Sequence, residues 1–251
     1  MVYLEELVSY LDEYMEIDRI QDYCPNGLQV EGSPKIKRIA TSVSANLEFF
    51  EKALDYGANA LLVHHGVLWD FHSRVLKGSY KDRIQFLLQN NISLIAYHLP
   101  LDAHHKIGNN IISCLNLGVK NPEKFGEYKN VPIGYQGKID PVSPADFKKR
   151  VDQYFNHQSI MFDYGTDSIQ SVGIISGAAQ SEFLQAIEMG LDCYITGEVS
   201  EHTMHLAKEE KTHFIAAGHY AGERVGVNAL GEHVAEKFNC EVKFIDVPVP
   251  V

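Results

Sequence analysis

Residues 58–66 read ANALLVHHG, an apolar run that stops at His64, His65 and a glycine. A short continuous apolar run bounded by a breaker predicts a strand buried on both faces, the kind that parallel sheets use. The same pattern returns in 92–98, ISLIAYH, and in 212–219, THFIAAGH. Between such strands lie stretches with helical spacing. Residues 3–15 put Leu4, Leu7, Val8, Leu11 and Tyr14 on one face, and helices are expected at 46–56, 80–90 and 108–117. Upstream of ANALLVHH, a strand is expected over 35–44. Tyr23–Gly27 reads as a turn, since proline presets φ and Asn-Gly accepts positive φ. Downstream, Gly66–Ser79 reads as a loop.

The segment 119–131 is polar, with a proline and a glycine, and Pro132 follows it. It predicts a boundary, giving a first α/β domain over 1–125 and a second over 126–251. In the second half a strand near 133–139 precedes a helix opening at Ser143-Pro144, an N-cap followed by proline at the first helical position. SVGIISG, DCYITGE and CEVKFIDVPV then read as strands. SEFLQAIEMG, VSEHTMHLAKEE and AGERVGVNALGEHVAEKF read as helices, and the last helix and strand are free to pack back on the first domain. The fold class expected is α/β: two domains with mainly parallel sheets flanked by helices.

A net charge of −11, from 22 basic and 33 acidic residues, argues against a general nucleic-acid binder. It leaves room for a small anionic ligand, because bound metal ions invert the local field. Cys24, Cys114, Cys193 and Cys240 are far apart in sequence and form no thiolate metal pattern. The acidic, amphipathic start MVYLEELVSYLDEYM is no signal peptide, and no run of 18 apolar residues suggests a membrane span. A reducing cytoplasmic setting is expected.

In an α/β sheet, ligands gather beyond the carboxyl ends of the strands. His64, His65, Asp102, His219 and Glu223 all fall at such positions, which makes them the candidate metal ligands. His219 and Glu223 are four apart at the start of a helix, so they share a face. His64 and His65 are adjacent, and adjacent strand side chains point to opposite faces. Both can be ligands if the backbone turns at Gly66 or if they serve different metals. Two ions satisfy this, and Glu223, a carboxylate, is the candidate bridge. Mixed nitrogen and oxygen donors suit Zn, Mn, Fe, Co or Ni better than Ca.

His98 and His104 read as proton shuttles or orienting groups, with His105 beside them. His72, His157, His213 and His233 read as structural or surface residues. His202 and His205 make an i,i+3 pair with no third ligand in sight. Glu198, at the end of DCYITGE, reads first as the acidic first turn of the next helix, with general base and orienting carboxylate as alternatives. Gly218 and Gly222 read as packing glycines around the ligands, with an anion received on the N–H groups of their strand-to-helix turn as the alternative, and no phosphate loop or dinucleotide fingerprint is present.

DYCPNGLQVEG, VHHG, HLPLDAHHKIGNN, ITGEVSEHTMH and AAGHYAGERVGVNAL together resemble the signature segments of the NGG-interacting-factor-three-like family. Its bacterial members are labelled dinuclear metal centre proteins or GTP cyclohydrolase type 2 homologues. The resemblance runs from about Asp22 to the carboxyl terminus. It implies two α/β domains facing a shared metal cleft, two divalent transition-metal ions per chain on the same five residues, and a toroidal homohexamer. It also implies a metal-dependent hydrolase of a small anionic molecule such as GTP. The competing reading is a non-catalytic metal-handling or adaptor protein.

Overall fold

The computed structural model describes residues 1–251. In chain order the elements begin β1 (Val2–Tyr3), α1 (Leu4–Tyr14), β2 (Gly27–Val30), β3 (Lys35–Ile36), β4 (Arg38–Ser44), α2 (Leu47–Tyr56), β5 (Ala60–His65), α3 (Gly78–Gln89), β6 (Ser93–Ala96) and α4 (Leu99–Ala103). There follow α5 (Asn109–Asn116), β7 (Lys120–Tyr128), β8 (Val131–Val142), α6 (Pro144–Phe155), β9 (Ile160–Phe162), β10 (Ile169–Ile174), α7 (Phe183–Glu188), β11 (Cys193–Thr196), α8 (Glu201–Glu210), β12 (His213–Ala216), α9 (His219–Phe238) and β13 (Glu241–Phe244). They form two compact units. One is Met1–Leu101 with Gly226–Val247, the other Asp102–Val225 with Pro248–Val251. The chain passes from one unit to the other inside α4 and again inside α9.

The first unit holds a five-stranded sheet of order β13-β4-β5-β6-β2. Its first four strands are mutually parallel, and β2 closes the edge antiparallel to β6. Ala60–Val63 of β5 are buried, as a central parallel strand requires. Helix α2 starts where the Asn46 side chain accepts the Phe49 N–H at 2.9 Å, and it ends at Gly57, whose φ of +81° a side chain would resist. It sets Phe49 and Phe50 into a core with Leu61, Val63, Leu87 and Leu94. Full burial of each phenylalanine contributes about 1.5–3 kcal/mol. Gly231 of α9 lies against this sheet, where a β-carbon would come 3.0 Å from Thr41 and 3.2 Å from Val242.

The second unit holds a six-stranded sheet of order β7-β8-β10-β11-β12-β9. Only β10-β11 and β11-β12 are parallel pairs, so this sheet is mixed and not mainly parallel. The segment expected as a boundary is its edge hairpin. Strands β7 and β8 pair antiparallel across Lys129-Asn130, whose φ values of 47° and 65° are those of a tight turn that matches strand twist. Pro122 sits where the register slips between Lys120 and Glu123, and an edge strand tolerates the missing N–H. Helix α6 opens as the sequence suggests, with the Ser143 side chain accepting the Asp146 N–H at 3.2 Å. Its Phe147, Val151 and Phe155 enter a core with Val172, Ile174, Cys193, Ile195 and Ile215. No helix is long and apolar enough to cross a membrane.

Candidate metal centre

In the first unit, His64 and His65 end β5 and His98 follows β6. Their rings sit together, with centroids 4.6 Å apart for His64 and His65, 5.0 Å for His64 and His98, and 5.6 Å for His65 and His98. One ring nitrogen from each lies within 4.8 Å of the other two. His65 is the last residue of β5 and still pairs with Ser44 of β4. Gly66 is not in the left-handed region, so it supplies no turn of that kind. A β-carbon there would stand 2.1 Å from Gln29 Oε1, so the Gln29 side chain would have to shift.

Hydrogen bonds fix which nitrogen each ring presents. His64 Nδ1 is 2.9 Å from the Tyr97 carbonyl oxygen. A carbonyl only accepts, so Nδ1 carries the proton and Nε2 keeps its lone pair in the neutral ring. His65 Nδ1 is 2.9 Å from Ser44 Oγ, and His98 Nδ1 is 2.9 and 3.2 Å from the two oxygens of Asp22. Asp22 is itself held by N–H groups of Tyr23, Asn26 and Leu99. Burial pushes its carboxyl up, but His98 and these donors outweigh that and hold it below the usual range. Cys24 stands close to Asp22 and His98. Burial, and then the charges of Asp22 and Asp70, push its thiol up, so it remains a neutral S–H.

In the second unit, Asp102 lies in the short helix α4 rather than at a strand end. Its Oδ1 accepts from Asn109 Nδ2 at 2.8 Å and from Ser176 Oγ at 2.7 Å. His219 and Glu223 share the first turn of α9, with His219 Nε2 3.2 Å from Glu223 Oε2. On its other side His219 Nδ1 donates to Glu198 Oε1 at 2.6 Å. Glu198 is thus an orienting carboxylate and not the first turn of α8, which begins at Glu201. Two glycines make room. A β-carbon on Gly177, whose φ is +72°, would lie 2.7 Å from Glu223 Oε1, and one on Gly197 would lie 2.6 Å from the Cα of His219.

The donor chemistry fits cations. Asp102 and Glu223 are 5% and 2% exposed, and an oxygen of each lies within 4.8 Å of the other. Two buried carboxylates so close repel unless positive charge lies beside them. Burial of His219 favours its neutral form, but Glu223 and Glu198 overcome this and raise its pKa to about 10. His219 thus has a carboxylate on each side, an arrangement suited to positive charge.

Five of the remaining histidines are engaged elsewhere or exposed. His104 is buried, but its Nδ1 accepts the N–H groups of Lys106 and Ile107 at 3.2 Å each, which closes a turn and leaves it outside every candidate ligand group. His213 is spent on Asp163 and the Thr166 carbonyl. His233 bonds Tyr10 and stacks on Tyr14. His205 pairs with exposed Glu201, and His72 is exposed on the loop after β5. Asp22, Ser44, Ser176 and Glu198 are the supporting residues that sequence reasoning missed or misassigned. Only Glu198, after a strand-end glycine, carried a signal.

The class defined here is a two-unit α/β protein with clustered imidazole and carboxylate donors at the ends of its core strands and the start of a helix. The chain belongs to the Duf34/NIF3 (NGG1p interacting factor 3) family, whose model matches residues 2–250. A Pseudomonas aeruginosa relative named GTP cyclohydrolase 1 type 2 homolog is 42% identical over 249 residues, covering 98% of each chain. Among solved structures, protein ybgI, described as of unknown function, matches with a TM-score of 0.95 at 37% identity over 100% of both chains. TTHA1606 from Thermus thermophilus matches with a TM-score of 0.92 at 31% identity, again over 100% of both chains.

Proposed function

We propose that the chain binds two divalent transition-metal ions through His64, His65, Asp102, His219 and Glu223, and that it hydrolyses a small anionic substrate. The observation that carries this reading is the pair of buried carboxylates, Asp102 and Glu223, with oxygens within 4.8 Å of each other and His219 beside Glu223. Metal ions bound there would polarise a substrate oxygen and lower the pKa of water. His64 presents Nε2 because the Tyr97 carbonyl holds the proton on Nδ1. His219 is aimed by Glu198 in the same way, and such outer partners make an imidazole a better donor. His98, backed by Asp22, is the residue suited to moving a proton. His104, with Nδ1 committed to a turn, is the weaker candidate.

The relatives' name makes GTP the first substrate to try. The protein is to be reconstituted with Zn, Mn, Fe, Co or Ni, its metal content measured, and guanine ring opening followed by ultraviolet absorbance. Conversion by the loaded wild type and none by Glu223→Ala supports the hydrolase. Two bound metals with a broad panel of nucleotides, phosphoesters and cyclic amides left intact favours a metal-handling protein or adaptor instead. At most one tight metal per chain removes the dinuclear reading. The same preparation is expected to run as a hexameric ring, and light scattering showing only a 28.2 kDa species would overturn that.

A further inference from the structure

The loop after β5 carries a feature that metal binding does not use. Phe71 is 69% exposed, an unfavourable position for a large apolar ring in water. It does not stand alone. Its ring is nearly parallel to Trp69, at 22° with centroids 5.6 Å apart, and Tyr23, 37% exposed, tilts against both at 5.7 and 6.5 Å. The three rings make a shelf beside the imidazoles. Trp69 and Tyr23 meet His98 edge-on at 5.2 and 5.0 Å, and Trp69 is 6.0 Å from His65.

The shelf is held in place. Gln29 Oε1 accepts the N–H groups of Val67 and Leu68 at 2.8 and 3.1 Å. The indole N–H of Trp69 donates to the Gly66 carbonyl at 3.1 Å, and the Asp70 N–H donates to the Tyr23 carbonyl at 3.0 Å. That last bond ties the loop to the Asp22–Gly27 turn, so both sources of aromatic rings are fixed together. Rings immobilised before a ligand arrives lose little entropy on binding.

We infer that Tyr23, Trp69 and Phe71 form a stacking site for a planar heteroaromatic ring, the part of the substrate that is presented to His65 and His98. Aromatic side chains hold such rings by face-to-face contact and accept any with a π-face. The inference rests on the hydrolase reading for what happens next to the ring, but ring binding needs no metal and can be measured without one. It narrows the substrate class to a small anion bearing a flat nitrogen heterocycle, as against a sugar phosphate or an aliphatic phosphoester.

Trp69 is the only tryptophan in the chain, so its emission reports this site alone. Metal-free and metal-loaded protein are to be titrated with guanosine monophosphate, ribose 5-phosphate and inorganic phosphate, with excitation selective for tryptophan. Saturable quenching by the nucleotide and not by the other two is the expected result. Phe71→Ala should weaken it at least about fivefold, while Phe71→Tyr restores it and metal content stays that of the wild type. Quenching that is absent, equally strong with ribose 5-phosphate, or unchanged in Phe71→Ala overturns the site. So does emission that instead follows protein concentration, because a second copy would then be covering the shelf. If quenching appears as expected but no metal binds, the hydrolase reading fails and the stacking site stands.

Discussion

His64, His65 and His98 in the first unit offer imidazole nitrogens, whereas Asp102, His219 and Glu223 in the second add two buried carboxylates. The imidazoles of the first unit are aligned by a carbonyl, a hydroxyl and Asp22. In the second unit, burying two carboxylates without compensating charge is costly, and His219 lies between Glu223 and Glu198. If the centre binds metal as proposed, the nitrogen donors of the first unit suit transition ions and the carboxylates of the second supply negative charge. The one device both share is a carboxylate behind a histidine, Asp22 for His98 and Glu198 for His219.

That contrast can be broken at Glu223. Replacing it with alanine removes an anionic donor and is expected to weaken tight metal binding by roughly 100-fold or more, above the range for an outer partner. Elemental analysis after dialysis would show it, and wild-type loading in Glu223→Ala would end the claim that the carboxylates carry the affinity. Replacing the shared device should cost less. Glu198→Gln is expected to weaken metal binding about 10–100-fold, with Asp22→Asn affecting activity more than loading if His98 only moves protons. A competitive chelator titration of both variants sharpens the comparison, and identical profiles would mean that His98 is a ligand like His219.

Stability gives two smaller effects. Gly177→Ala places a β-carbon 2.7 Å from Glu223 Oε1 at a φ of +72°, and it should destabilise the fold by about 1–3 kcal/mol. Denaturant unfolding with an unchanged midpoint would show that the carboxylate can move aside. In the metal-free protein, His219 has a folded pKa of about 10 against an ordinary 6.5. Its stabilising contribution is therefore complete below pH 6.5 and is lost as pH rises through about 10. Unfolding measured across that window should show the decline in the wild type and a flatter profile in His219→Ala; equal slopes would remove the charge argument. The smallest effect is expected at exposed His72, where alanine should leave metal content unchanged.

Much of the frame was legible because it rests on local patterns. The apolar runs ending at His65 and His98 are buried strands or their exits, and Ser143-Pro144 opens a helix. The edge hairpin was not legible. Pro122 and polar side chains look like a connector, yet an edge strand needs hydrogen bonds on one side only and can carry both. The antiparallel pairs of the second sheet were hidden for the same reason, since parallel or antiparallel pairing is decided by partners remote in sequence.

By itself, the sequence picked out the candidate groups: histidines at or just beyond the ends of apolar runs, a carboxylate downstream, and an i,i+4 pair on one helix face. These depend on periodicity and side-chain chemistry within a few residues. Tertiary structure alone decided how those groups are aimed. Asp22 reaches His98 across 76 positions, Ser176 reaches Asp102 across 74, and Glu198 reaches His219 across 21. A hydrogen bond depends on distance and angle in space, and chain folding sets both without leaving a spacing to read.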